Sequence, residues 1–167
     1  MDYVTPMSWK SSRMNSRMSA LLRGAGFQWP TEACDAAGQL PALEIFEDCV
    51  LLKSQWEPNK NHLRIKDCPD KTGFECFINH LHLSFNGTKE SLISCLGYVA
   101  TLQEALSPLA RGRQFRVIVS FSDNDAFPES GCTVRFHQIR SGETWIAEDL
   151  EGYKSDAILV LDVPPRQ

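Results

Sequence analysis

Two histidines two positions apart, His80 and His82, come closest in this chain to a catalytic or metal-binding pattern. Residues i and i+2 of a β-strand project from the same face, so in a strand the two imidazoles would lie about 6–7 Å apart. That spacing suits two ligands of one metal ion, and His137 or Cys76 could supply a third. No carboxylate-rich ligand set accompanies the pair. We therefore expect no metal and no cofactor, with His80, His82 and His137 as the ligands in the alternative case.

The stretch at residues 80–85, followed by a long helical pattern and an apolar strand pattern, resembles half of a two-histidine phosphoesterase. Those enzymes carry a His-x-Thr/Ser pair twice, and the resemblance implies general acid and base roles on a 2′,3′-cyclic phosphate. Here His82 occupies the position of the Thr or Ser, and Gln138 and Ile139 follow His137 where a second copy would be needed. A phosphoesterase-like or metal-dependent hydrolase using His80 and His82 is therefore the alternative hypothesis, and a non-catalytic protein is favoured.

Other catalytic signatures are missing from the sequence. It contains no Gly-x-Ser-x-Gly elbow, phosphate-binding loop or dinucleotide fingerprint. None of the six cysteines forms a Cys-x-x-Cys pair. The first 23 residues are basic but lack the apolar core of a secretory signal, which favours reduced cysteines and a cytoplasmic location.

An acidic stretch near the C-terminus has aromatic residues within it. Between residues 143 and 156, five carboxylates accompany a single cation, Lys154. Most acidic runs are solvated faces. Acid combined with aromatic residues is also typical of a surface that binds a basic protein, because carboxylates steer the encounter and aromatic rings anchor the complex. The predicted partner-binding residues are Glu143, Trp145, Glu148, Asp149, Glu151 and Tyr153.

Composition narrows the possible partners. A chain of 167 residues with 43% hydrophobic and 23% charged residues is typical of a globular protein. The net charge of −4 argues against nucleic-acid binding through a basic surface. No apolar run approaches the roughly 20 residues that a membrane-spanning helix requires. We therefore expect neither nucleic acid nor membrane as a partner.

Hydrophobic periodicity predicts the elements that hold these residues. A long helix is expected over residues 88–110, with shorter helices over 19–24 and 144–153. Strands are expected over 43–53, 62–66, 74–85, 114–122, 132–140 and 157–163. This order predicts an α+β fold, with an antiparallel sheet of about five to six strands and one long helix packed on one face. Residues 1–18 are expected to be a disordered leader, and residues 19–167 a single domain.

The pattern over residues 77–163 resembles small bacterial immunity proteins of polymorphic-toxin and contact-dependent inhibition systems. The resemblance is carried by residues 77–82, by residues 134–140, by Glu143-x-Trp145-x-x-Glu148-Asp149-Leu150 and by the apolar residues 156–161. It implies a cytosolic, non-catalytic inhibitor that binds one toxin domain, often a basic nuclease. The expected partner is therefore a cognate toxin domain, bound through the acidic, aromatic-containing surface.

Overall fold

The computed structural model describes residues 11–28, 38–122 and 131–163. The strands are β1 (Ser12–Met14), β2 (Leu43–Phe46), β3 (Cys49–Leu52), β4 (His80–Leu83), β5 (Phe115–Ser122), β6 (Cys132–Gln138) and β7 (Asp156–Val163). The helices are α1 (Ser16–Gly24), α2 (Lys53–Trp56), α3 (Lys71–Ile78) and α4 (Lys89–Leu106). Short 3-10 turns occupy Ile65–Asp67, Ser107–Leu109 and Leu150–Gly152.

Five strands form one antiparallel sheet in the order β1-β7-β5-β6-β4, and β2 pairs with β3 in a separate hairpin. In the central strand β5, Phe115, Val117, Val119 and Phe121 are buried and share one face because successive side chains alternate. The predictions of an α+β fold and of the strands that became β5, β6 and β7 are confirmed.

The long helix α4 covers one face of this sheet, as predicted. Its first turn is capped by the Thr88 hydroxyl, which accepts a hydrogen bond from the Ser91 N–H at 3.2 Å. Full burial of one leucine side chain stabilises the fold by about 1.5–3 kcal/mol. The leucines of α4 that are buried against β5, β6 and β7 are Leu92, Leu96, Leu102 and Leu106.

The other face of the sheet is apolar around Ile118 of β5 and Ile158 and Val160 of β7, and polar at β6 and β4. Residues 143–156, called the acidic segment from this point, lie over its apolar half. Ile146 and Leu150 of the segment are buried against Ile118 of β5 and against β7. The polar half carries Arg135 of β6 and the two histidines of β4, all of them at least partly exposed.

Residues 12–18 belong to the fold, so this part of the predicted leader is wrong. β1 pairs with β7, and Asn15, the residue after β1, is hydrogen-bonded to β7 through its side chain. The buried Asn15 side chain accepts hydrogen bonds from the N–H groups of Met18 and Ile158, both at 3.0 Å, and donates to the Asp156 carbonyl at 2.8 Å. Because Asn15 is the N-cap, α1 begins at Ser16, three residues before the predicted start. Residues 1–10 lie outside the described residues.

A hairpin replaces the single strand expected over residues 43–53. The chain reverses at Glu47 and Asp48, whose φ angles of 47° and 69° are left-handed. A two-residue turn of this kind usually carries Asn-Gly, which tolerates positive φ. The turn was missed because neither residue is glycine or asparagine.

Residues 71–78 are helical, so the strand expected over 74–85 forms only at its end, as β4. The Asp70 side chain caps α3 by accepting a hydrogen bond from the Gly73 N–H at 2.7 Å. Phe74, Cys76 and Ile78 are all buried, because α3 packs against both β3 and β6. A helix buried on several sides loses the apolar stripe that distinguishes it from a strand.

The predictions of two shorter elements, a strand and a helix, are also wrong. The strand expected over residues 62–66 is replaced by a turn and the 3-10 turn Ile65–Asp67, where the Asp67 carboxylate accepts the Arg64 N–H at 2.9 Å. The helix expected over residues 144–153 is irregular except for the 3-10 turn Leu150–Gly152. Within this stretch Ile146 and Leu150 are buried, whereas Trp145 is 42% exposed.

Candidate functional site

A buried carboxylate that the sequence did not single out, Glu75 of α3, joins three parts of the molecule. Its oxygens accept hydrogen bonds from the N–H groups of Val50 in β3 and Gln138 in β6, both at 2.8 Å. They also accept from Arg140, at 2.7 and 3.2 Å. Burial raises the pKa of Glu75, and the Arg140 guanidinium opposes that shift. Both oxygens are occupied and the residue is fully buried, so Glu75 has a structural role.

Asn79 follows Glu75 by one helical turn and repeats the same bridge. Its side chain accepts from the Leu52 N–H at 2.8 Å and donates to the carbonyls of Val50 at 2.8 Å and Phe136 at 3.2 Å. β4 pairs with β6 only as far as Arg135. Glu75 and Asn79 therefore bond the backbone groups of β6 that lie beyond its pairing with β4. The same two side chains attach the β2–β3 hairpin to β6.

Two of the predicted site residues hold the acidic segment in place. Glu143 accepts the Thr72 N–H at 2.9 Å, at the N-terminus of α3. Glu151 accepts the N–H and the hydroxyl of Ser16 at 2.6 and 2.8 Å, at the N-terminus of α1. Carboxylates are stabilising at helix N-termini, where unpaired N–H groups and the helix dipole meet them. These contacts fix both ends of the segment against the domain.

The next two acids lie on the outer side of the segment. Glu148 has a side chain that is 86% exposed and forms an ion pair with Arg13 at 3.4 Å. Asp149 is exposed and accepts the Glu151 N–H at 3.0 Å. Their carboxylates are fixed in position and remain open to solvent.

The two predicted aromatic residues differ in burial. The Tyr153 hydroxyl accepts the Ala147 N–H at 3.0 Å, and its ring packs against the cluster beneath the segment. The Trp145 indole lies over the Arg135 guanidinium, 5.4 Å from the ring centroid to Cζ, and is 42% exposed. A cation–π contact of this kind stabilises the observed orientation of the indole. Trp145 therefore presents a large apolar surface at the boundary between the acidic segment and the polar half of the sheet.

The histidine pair lies on one face of the sheet, as the strand spacing predicts. The rings of His80 and His82 are 4.4 Å apart between centroids. The Arg135 Nη2 contacts the nitrogens of His80 at 3.1 and 3.3 Å. Burial, the Arg135 charge and His82 together lower the pKa of His80 to about 4. At neutral pH the His80 imidazole is therefore uncharged.

The two candidate third ligands of the alternative metal site, His137 and Cys76, do not join this pair. His137 is buried, its Nδ1 lies 2.9 Å from the Gln138 carbonyl oxygen, and burial lowers its pKa. Burial also raises the pKa of the Cys76 thiol, which keeps it protonated. Across residues 11–28, 38–122 and 131–163, no three His, Cys, Asp or Glu side chains lie close enough to hold a metal ion.

The five cysteines within the described ranges are unbridged: Cys49, Cys68, Cys76, Cys95 and Cys132. Burial raises the pKa of Cys49 to about 11, so this thiol is a poor nucleophile. The helices of the described residues include none that is both long and apolar enough to cross a membrane.

No curated protein and no solved structure matches this chain. Residues 13–167, which begin within β1 and run to the C-terminus, match the family described as "Uncharacterized protein PM0498". Because the match extends over most of the chain, the chain belongs to the PM0498 family.

Proposed function

We propose that this protein is a non-catalytic binding protein that captures another protein through the acidic segment, with Trp145 as the anchor of the contact. The observation that carries the proposal is the indole itself, which is 42% exposed and held over Arg135. Tryptophan is among the residues most enriched in the energetically dominant parts of protein interfaces. An indole that is already oriented loses little conformational freedom when a partner covers it.

The charge around Trp145 defines the partner's chemistry. The acidic segment carries five carboxylates and one lysine, a net charge of −4 that equals that of the whole chain. Glu148 and Asp149 point their charge to solvent. Such a surface accelerates association with a positively charged protein, and the acceleration falls as salt increases. The partner is therefore expected to have a basic face with an apolar pocket for an indole.

The identity we propose is that of a cytoplasmic immunity protein, which neutralises a cognate toxin domain such as a basic nuclease. Support comes from the resemblance over residues 77–163, whose Glu143–Asp149 part coincides with the surface described above. An inhibitor of this kind needs a preformed contact surface and no reactive groups. The helix-capping contacts of Glu143 and Glu151 give the segment such a preformed shape.

The hydrolase alternative has less support. A general acid at neutral pH needs a pKa near the working pH. The pKa of His80 is instead about 4, and the Arg135 Nη2 lies 3.1 and 3.3 Å from its two ring nitrogens. Hydrolysis of a 2′,3′-cyclic phosphate by the purified protein, lost in His80→Ala, would contradict the proposal.

The proposal is tested by rescue of growth. The products of the genes adjacent to this one are expressed singly in a bacterial host, with and without this protein. We expect one of them to arrest growth, and co-expression to restore it. Trp145→Ala should abolish the rescue at limiting expression, because losing an interfacial tryptophan costs about 2 kcal/mol or more, roughly a 30-fold weaker complex.

Phe77→Ala is the matched control, since Phe77 is an exposed aromatic residue on α3 outside the acidic segment. It should leave the rescue unchanged. The proposal fails if no adjacent product is toxic, or if Trp145→Ala rescues growth as well as the unmodified protein does.

A further inference from the structure

One partly buried arginine, Arg135, differs from the others among the described residues because it has no carboxylate partner, and this points to a ligand. The four others pair with a carboxylate, at N–O distances of 3.4, 3.0, 2.7 and 2.7 Å: Arg13, Arg113, Arg116 and Arg140. Arg135 pairs with no carboxylate among the described residues. Its contacts are the His80 imidazole and the face of the Trp145 ring. Its guanidinium is therefore a partly buried positive charge that has no carboxylate partner within residues 11–28, 38–122 and 131–163.

Desolvation of that charge is only partly compensated. The Arg135 Nε is buried and has no hydrogen-bond partner in the part of the chain that the structure describes. Burial lowers the pKa of Arg135, because desolvation disfavours the charged guanidinium. A buried donor without a partner and a charge without a counter-ion both cost free energy, and an arriving anion would recover part of it.

Further hydrogen-bonding side chains surround Arg135 on the same sheet face. His82 is exposed and lies next to His80. Thr133 stands directly opposite His82 in the β4–β6 pair, and Ser120 is opposite Thr133 in the β5–β6 pair. Opposite residues in antiparallel strands have Cβ atoms about 5 Å apart, which brings these groups within reach of one small ligand.

We propose that Arg135, His80, His82 and Thr133 form a binding site for an oxyanion, a phosphate or a carboxylate group, with the Trp145 indole along one side. Arginine presents a planar fork of donors that fits both kinds of oxyanion. A neutral imidazole and a hydroxyl supply additional donors without adding charge. The exposed His82 and the half-exposed Thr133 leave the site open to solvent on the side away from the acidic segment. The inference concerns a small ligand of the isolated protein and goes beyond the binding of a protein partner.

The test is an NMR titration of the full-length protein at pH 7. The imidazole resonances of His80 and His82 are followed while sodium phosphate or sodium acetate replaces sodium chloride at constant ionic strength. We expect saturable shifts of both histidines. Saturation with phosphate alone identifies a phosphate ligand, and saturation with acetate at a similar midpoint identifies a carboxylate ligand.

Two variants assign the shifts to the proposed site. Arg135→Gln should raise the midpoint about tenfold or more, since a hydrogen bond to a charged group is lost. Arg111→Gln, which removes an exposed arginine beyond the C-terminal end of α4, should leave the midpoint unchanged. His82→Ala alters only an exposed side chain, so it provides the same test if Arg135→Gln does not fold. Shifts that stay linear, or a midpoint that neither Arg135→Gln nor His82→Ala alters, would overturn the inference.

Discussion

The buried ion pair between Glu75 and Arg140 gives the sharpest prediction about stability. Glu75→Gln keeps the shape of the side chain but replaces one acceptor oxygen with an NH2 group. Four donors converge on the two oxygens: two backbone N–H groups and two guanidinium nitrogens of Arg140. The amide has one oxygen to offer, so at least one donor is left facing another donor.

The expected magnitude is large because Glu75 is fully buried. Removing one partner of a buried ion pair costs about 3–5 kcal/mol. Domains of this size have unfolding free energies of about 5–15 kcal/mol. Glu75→Gln should therefore remove about a fifth or more of the stability, and lower Tm by about 6–20 °C.

The assay is urea denaturation followed by far-UV circular dichroism at pH 7. Glu104→Gln makes the same chemical change on the exposed side of α4 and should stay within about 0.5 kcal/mol of the unmodified protein. Arg140→Met should be as damaging as Glu75→Gln, and the double variant should lose less than the sum of the two. A loss below about 1 kcal/mol for Glu75→Gln would refute the structural role assigned to this carboxylate.

Three further predictions concern elements that hold the candidate surface. Asn15→Ala should cost about 2–3 kcal/mol in urea denaturation because the buried Ile158 N–H loses its acceptor, and a change below about 0.5 kcal/mol would contradict this. Gly131→Ala should lower Tm because an added Cβ would lie 2.5 Å from the Phe85 carbonyl oxygen, whereas an unchanged Tm would show that this approach is not tight. The pKa of His80 falls from 6.5 to about 4 on folding. As the pH drops, the unfolded chain therefore takes up a proton at His80 before the folded protein does. Stability should therefore fall as the pH drops from about 6.5 to about 4, and His80→Asn should flatten the pH profile of Tm; an equal slope in the variant would contradict the assignment.

The elements that sequence could predict are those with long, one-sided periodicity. α4 repeats leucines at helical spacing over its length, and β5 alternates phenylalanine and valine against polar residues. Each pattern has one physical interpretation, because large apolar residues recur at the helical spacing in α4 and at every second position in β5. These elements establish the sheet and its helical cover, and they were predicted nearly to the residue.

The elements that sequence could not predict depend on contacts between distant parts of the chain. The run around Glu75 is apolar on almost every side, since α3 is enclosed between β3 and β6, and such a run does not distinguish a helix from a strand. β1 is three residues long and becomes a strand only by pairing with β7. A buried carboxylate is recognisable only when its partner Arg140 is brought beside it, 65 positions away in sequence.

The candidate surface was predictable in its composition but not in its geometry. The sequence indicates that acids and aromatics are concentrated between residues 143 and 156. It does not indicate that Glu143 and Glu151 cap helices, or that Trp145 lies over Arg135 rather than in the core. The sequence also draws attention to His80 and His82, while the charge beside them that lacks a carboxylate partner among the described residues belongs to Arg135.

The central claim, a partner-binding surface anchored by Trp145, is tested most directly by binding kinetics between the purified protein and a toxic partner identified by growth rescue. We expect Trp145→Ala to raise Kd about 30-fold or more through faster dissociation, with Phe77→Ala unchanged. Glu148→Lys should slow association at low salt, and the difference should shrink as salt rises. Binding that is insensitive to both Trp145→Ala and Glu148→Lys would place the contact elsewhere on the molecule and contradict the account.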